Sequence, residues 1–217
     1  MKLHLGCFDR PADGWVNTDI TPHITIARIP GAATILYRLG VINATRFRQH
    51  REGVFARVRR MDVGKRFPFE DACADAVFAS HLLEHMPLDV AANCLREIYR
   101  VLKPGGIVRL GVPDLDLLVR RFDPHAPDEF VAQIFESRHS RDKNRHHWMY
   151  NETSLAAALR RTGFVDPVRR TYGVGECPDI ASLDNRPEIT LFMEARTPGR
   201  STEEASTVRA MSSRSSS

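Results

Sequence analysis

Asp75-Ala76-Val77-Phe78-Ala79-Ser80-His81-Leu82-Leu83-Glu84-His85, and after it Leu95-Arg96-Glu97-Ile98-Tyr99-Arg100-Val101-Leu102-Lys103-Pro104-Gly105-Gly106, form the stretch that decides the fold. Ala74–Ala79 is a short apolar run, the pattern of a buried strand. Pro87 suits a first helical turn, and Leu88, Ala91, Leu95, Ile98 and Leu102 recur at spacings of three and four, which is one face of a helix. Pro104-Gly105-Gly106 ends that helix, and Ile107–Val112 is the next apolar run. Strands mixed with helices in this way predict an α/β layer fold.

Outward from this block, further short apolar runs predict strands at Leu3–Gly6, Trp15–Ile20, Val58–Asp62, Val165–Thr171 and Ile189–Ala195. Asp114 is placed to cap a helix over Leu115–Phe122, and Asn151 to cap one that runs through Leu155 and Leu159 and stops at Gly163. Only eight residues separate Gly6 from Trp15. A parallel crossover usually needs about a dozen or more, so the first helix is expected to be missing or reduced to a turn. The segment 21–57 is long for one linking helix, and part of it is expected to cap the site. Ile24, Ile26, Ile29, Ile35, Leu36, Leu39, Val41 and Ile42 give it apolar surface, and Arg46, Arg48, Arg51 and Arg57 a basic cluster. Residues 197–217 hold seven serines and almost no large apolar side chains. They cannot offset the entropy of ordering and are expected to be a disordered tail. One domain is expected over 1–196.

The whole chain has 217 residues, 42% of them hydrophobic, enough for a buried core and against disorder throughout. The formal charge of +4 is a weak footprint for nucleic acid. Only Lys2, Lys65, Lys103 and Lys143 are lysines, and the remaining 27 basic residues are arginines. Their scatter along the chain fits a compositional bias, although guanidinium forks also suit phosphate or carboxylate. Cys7, Cys73, Cys94 and Cys177 have no zinc-type spacing, and Met1–Gly6 reads as a strand and turn rather than a leader. With no long apolar run, a soluble cytoplasmic protein with free thiols is expected.

Asp62-Val63, Phe67-Pro68-Phe69, Asp75–His85 and Leu95–Gly106 occur in the order of the class I S-adenosylmethionine-dependent methyltransferases, which the chain resembles from about residue 3 to 113. His146-His147-Trp148-Met149-Tyr150-Asn151-Glu152 and Asp184-Asn185-Arg186-Pro187-Glu188 resemble a bacterial subgroup associated with cell-surface glycan biosynthesis. The resemblance implies a Rossmann-like sheet, mostly parallel with an antiparallel last strand and helices on both faces. It also implies S-adenosyl-L-methionine as cofactor and a small-molecule, glycan or glycolipid acceptor, with O-methylation expected. Gly6 and Cys7 would form the turn under the methionine part, and Asp19 would bind the ribose diol, with Phe8 and Ile20 beside them. Asp62 would accept from the adenine amino group while Val63 offers its backbone. Ser80 and His81 would line the space between sulfonium and acceptor.

His4 and Phe8 stand where the family has an acid and a second glycine, so a cofactor-free binding or scaffold protein is the alternative. A nicotinamide or nucleotide-sugar enzyme fares worse, because the turn after Leu5 lacks G-x-G-x-x-G. A histidine with a pKa near 6.5 suits removal of an acceptor proton, and His81, His85, His146 and His147 are the candidates. His81-x-x-Glu84-His85 also resembles Glu-x-x-Glu-His of the ubiquinone-pathway O-methyltransferases, where those side chains hold a divalent metal. With His81 replacing the first acid, magnesium is less apt, and no metal is expected. The apolar and basic segment 21–57 could also meet a lipid-linked acceptor or a membrane surface.

Overall fold

The computed structural model describes residues 1–136 and 145–199. Seven strands, β1 (Lys2–Leu5), β2 (Val16–Asp19), β3 (Val58–Arg60), β4 (Ala74–Ser80), β5 (Leu102–Pro113), β6 (Val165–Arg170) and β7 (Thr190–Arg196), form one sheet in the order β3-β2-β1-β4-β5-β7-β6. The strands from β3 to β5 are parallel to their neighbours, and β7 runs antiparallel to both β5 and β6. This is the expected Rossmann-like sheet with one reversed strand. The eight residues between Gly6 and Trp15 carry no helix, as the short spacing requires.

One face of the sheet is apolar. Leu3, Leu5, Val77, Ala79, Val108, Leu110, Val112, Leu191 and Met193 pack there against α4 (Leu88–Val101) and α7 (Glu152–Thr162). Helix α4 buries Ala91, Cys94, Leu95, Ile98 and Val101, whereas Leu88 is exposed. Its end falls one residue earlier than expected, because Leu102 is already extended and opens β5. Lys103–Gly106 then bulge from the ladder between the pairs Ala74↔Leu102 and Ala76↔Ile107. Helix α7 begins in a reciprocal capping box between Asn151 and Ser154 and ends at Gly163, which holds φ 111°.

The opposite face has a different cover. Trp15, Ala76, Phe78 and Ile107 meet Cys177, Ile180 and Leu183 from the β6–β7 connection, which holds only the short helix α8 (Ile180–Leu183). At the β3 edge, Ile24 of α1 (His23–Ala27) packs on Val58 and Cys7. Helices α2 (Ala32–Arg38) and α3 (Ala44–Arg51) complete the 21–57 segment, ahead of a 3-10 turn at Val54–Arg57. Its apolar residues divide: Ile24 and Ile42 are buried, while Ile29, Ile35, Leu39 and Val41 are exposed. Asp114 accepts hydrogen bonds from the Asp116 and Leu117 amides and caps α5 (Leu115–Arg120), which stops two residues short of the expected Phe122. Helix α6 (Pro127–Phe135) has no counterpart in the sequence reading.

The first residues of the expected tail, Thr197 and Pro198, are held against the sheet. Thr197 is buried, its hydroxyl donates to Lys103 O, and its amide donates to Gly106 O, while Gly105 N–H reaches Pro198 O. These bonds tie the end of the sheet to the Lys103–Gly106 bulge. Residues 200–217 lie outside the described residues.

Candidate active site

Ligands in open α/β sheets sit beyond the carboxyl ends of the strands. At that edge a cleft of about 380 Å³ opens beside β1 and β4, inside the size range of small-molecule sites. Gly6, Cys7 and Phe8 contribute from the turn after β1, and Ser80, His81 and His85 from the end of β4 and beyond. Arg10 and Arg46 stand on one side, and Ser182, Asn185 and Arg186 from the β6–β7 connection on the other. Six of the residues singled out in the sequence therefore share one cavity.

The turn after β1 is tightly determined. Gly6 has φ 63° and Phe8 φ 46°. A Cβ on Gly6 would stand 2.9 Å from Leu82 Cδ1, so the need for glycine arises from the protein's own packing. Cys7 N–H donates to Thr18 O, and Phe8 N–H donates to Asp19 Oδ2 at 3.0 Å. Asp19 Oδ1 accepts from Thr21 N–H at 2.7 Å. Each carboxylate oxygen keeps a second lone pair, so Asp19 can still accept from a ligand. Burial, with Asp19 adding to it, pushes the Cys7 thiol up to about 12, which makes it a neutral wall and not a nucleophile. The Arg46 guanidinium lies 4.4 Å from the Phe8 ring centroid and pairs with Asp9. Helix α3 thus reaches the turn.

His4, at the family's acidic position, is buried beneath this turn, edge-on to Phe78. Desolvation lowers its pKa to about 4, against a smaller raising effect of Asn17, so its ring is neutral at pH 7.

Past β4, His81 adopts φ 51°, unusual for a residue with a Cβ and of the kind that gathers at functional sites. Its Nδ1 is 3.1 Å from Glu84 Oε1 and its Nε2 is 2.9 Å from Thr190 Oγ1. Glu84 is fully buried, and its other oxygen has no partner. The His85 and His146 rings meet edge-on with centroids 5.0 Å apart. Ser80 Oγ is buried without a partner in the cleft wall, a polar atom suited to a bound ligand.

The other expected residues lie outside the wall of this cleft. Asp19 ends β2 and Ile20 is exposed beyond it. Asp62 follows β3, where its carboxylate accepts from Gly64 N–H, and Val63 packs on the core. His147 is exposed, though its amide donates to Glu84 O at 2.7 Å. Arg186, Asn185 and Glu136 line the cleft without having been singled out for a role. The quoted run Asp184–Glu188 was the only signal for the first two.

A family profile described as "Methyltransferase domain" matches residues 37–110. No curated protein matches the chain. Among solved structures, a SAM-dependent methyltransferase from Methanosarcina mazei superposes with a TM-score of 0.50 at 16% identity, covering 92% of each chain. The CurJ carbon methyltransferase gives 0.51 at 14% identity, over 91% of this chain and 48% of that one. A candidate exported protein from Bordetella parapertussis gives 0.50 at 17% identity, over 91% of this chain, which spans 62% of that protein's length. The likenesses define the class of fold, a Rossmann-like methyltransferase sheet. The matched methyltransferase-domain profile falls on that sheet, from within α2 to within β5.

Proposed function

We propose that the chain methylates a hydroxyl group of an anionic small-molecule, glycan or lipid-linked acceptor in the cleft beside β1 and β4. The observation that carries this reading is the continuity of one cavity from the Gly6–Phe8 turn to Ser80, His81 and His85. When bound, S-adenosylmethionine supplies an electrophilic methyl group, so the chain needs only to align the acceptor and take its proton. Gly6, Cys7, Phe8 and Ser80 hold the cofactor's reacting end, with Asp19, Ile20, Asp62 and Val63 further along the same strand ends. The vacant lone pairs of Asp19 and the unpartnered Ser80 hydroxyl support that fit.

His81 is the proton acceptor. Glu84 Oε1 takes its Nδ1–H, which leaves the Nε2 lone pair for the acceptor hydroxyl, in the manner of a histidine base oriented by a carboxylate. In the resting site the Thr190 hydroxyl occupies that place; its second contact, 2.7 Å to Arg186 O, gives it somewhere to turn. His85 borders the same cavity and His147 lies outside it, so they rank behind His81. Arg10, Arg46 and Arg186 favour an acceptor carrying phosphate or carboxylate. Ile35, Leu39 and Val41 beside Arg38 form an exposed apolar surface with a basic neighbour, suited to a lipid headgroup layer on the cytoplasmic side of a membrane. No helix among the described residues is long and apolar enough to cross one.

Calorimetry with S-adenosylmethionine and S-adenosylhomocysteine tests the cofactor assignment. Binding at micromolar concentration is expected, and Asp19→Ala should weaken it. If neither compound binds at millimolar concentration, the cofactor-free scaffold replaces this reading. His81→Ala should reduce turnover by a factor on the order of 10²–10⁴ with little effect on cofactor affinity. Normal turnover in that variant would move the role to His85, the other proposed histidine on the cavity wall.

A further inference from the structure

We propose that Glu84, His85 and His146 bind a divalent first-row metal ion of borderline softness, zinc foremost. One donor atom of each lies within 4.8 Å of the other two. Glu84 Oε2, His85 Nδ1 and His146 Nε2 are buried and make no hydrogen bond, whereas buried polar atoms in folded proteins nearly always have partners. Three unsatisfied donors converging on one point call for a shared guest.

The remaining polar atoms of Glu84 and His146 are engaged so as to aim the free ones. His146 Nδ1 donates to Ile134 O at 3.0 Å, the bond that fixes a ligating imidazole with its lone pair on Nε2. Glu84 Oε1 is held by His81, leaving Oε2 as the open oxygen. The backbone also brings the two segments together before any ion arrives. Glu84 O accepts from the His147 and Trp148 amides at 2.7 and 3.2 Å, and His146 N–H donates to Phe135 O at 3.0 Å. Glu136 brings a carboxylate oxygen 2.9 Å from His146 Nε2, off the line of a hydrogen bond. Simple pairing of His146 with Glu136 would leave Glu84 Oε2 and His85 Nδ1 without an explanation.

Two imidazoles and one carboxylate suit zinc and its first-row neighbours, whereas magnesium and calcium require oxygen-rich sets. Zinc bonds of about 2.0–2.2 Å set tetrahedral donors roughly 3.4 Å apart, so small side-chain rotations close the observed span. His81 stays outside the ligand set and orients Glu84. The expectation of no metal came from reading His81 as a replaced ligand, and the third donor comes instead from a segment distant in sequence. The site shares Glu84 and His85 with the proposed methyl-transfer cleft, but its test stands apart from that reading, because ion binding is read on the chain alone.

The test uses the full chain after treatment with chelator, titrated with Zn²⁺ by calorimetry and with Co²⁺ by visible absorption. One ion per chain is expected, with the intense d–d bands of a low-coordinate nitrogen–oxygen site. His146→Gln and His85→Gln should each weaken binding by about a hundredfold or more while the circular dichroism spectrum stays unchanged. A His23→Gln/His50→Gln double variant, which removes the other close histidine pair, should bind as the parent does. No stoichiometric binding at micromolar ion would overturn the proposal. So would binding that survives His146→Gln and disappears with the His23/His50 pair.

Discussion

The two faces of the sheet are built by different rules. Under α4 and α7 the contact is hydrocarbon against hydrocarbon, and register and helix spacing suffice to specify it. On the other face Arg109, fully buried in β5, replaces an apolar side chain with an ion network. Its guanidinium donates to both oxygens of Asp184, to Glu194 at 3.0 Å and to the carbonyls of Thr171 and Val174. Glu194, the residue opposite it in β7, also accepts from the Glu176 and Cys177 amides. Burial works to raise the Glu194 pKa, but those amides and Arg109 hold it below the ordinary carboxylate value. One cation thus fixes the β6–β7 connection over the sheet, and that connection supplies Ser182, Asn185 and Arg186 to the cleft. Apolar packing makes the apolar face stable; the ion network makes the other face specific in shape.

The contrast breaks most sharply at Arg109. Arg109→Ala leaves two buried carboxylates without their cation and should cost on the order of 3–5 kcal/mol, read as a lowered denaturation midpoint in urea. It should also weaken cofactor affinity, because the cleft loses one wall. Leu155→Ala removes apolar contact under α7 and should cost about 3 kcal/mol, with cofactor affinity unchanged in the protein that remains folded. Equal effects of both variants on cofactor binding would erase the distinction between the faces.

A third and smaller effect is tied to pH. His4 stays neutral in the fold down to about pH 4, whereas in the unfolded chain it takes up a proton below its ordinary value of 6.5. Its contribution is therefore complete above pH 6.5 and is lost as the pH falls from 6.5 to 4, in total about 3 kcal/mol. Urea unfolding at several pH values should show a slope of up to about one proton in that window, and His4→Gln should remove it. An unchanged slope would place the titration elsewhere.

The apolar face was legible in the sequence because its information is local. Leu95 and Ile98 recur at helical spacing, Asn151 and Gly163 mark the ends of α7, and short apolar runs located the strands within one or two residues, apart from the start of β5, which lies at Leu102 rather than Ile107. The missing first helix followed from chain length alone. Arg109 was not legible: a single charge inside Ile107–Val112 looks like any solvent-facing strand position until Asp184 and Glu194 arrive from 75 and 85 residues away. The cleft divides in the same way. Gly6–Phe8 and Ser80–His81 were found through the resemblance to the methyltransferases, and they meet because β1 and β4 are neighbours whose ends share an edge. Glu136, Asn185 and Arg186 arrive through long connections, and nothing in their spacing to the glycine turn announces them. Helix α6 was missed because no cap residue precedes Pro127.

The position of β7 has a consequence for the order in which the protein comes into being. Among the described strands β7 comes last in chain order, pairs with both β5 and β6 and lies inside the sheet rather than at its edge. A nascent chain that has emerged as far as β6 can stack α4 on the first five strands, yet β6 has nothing to join. Until Thr190–Arg196 arrives, the long side of β5 is an open edge of the kind that invites pairing with another chain. Arg109, without Glu194, is then exposed on that incomplete strand, and a charge on an unpaired edge opposes such pairing. The residue that later locks the β6–β7 connection in place would serve, during synthesis, as the guard of the gap it fills.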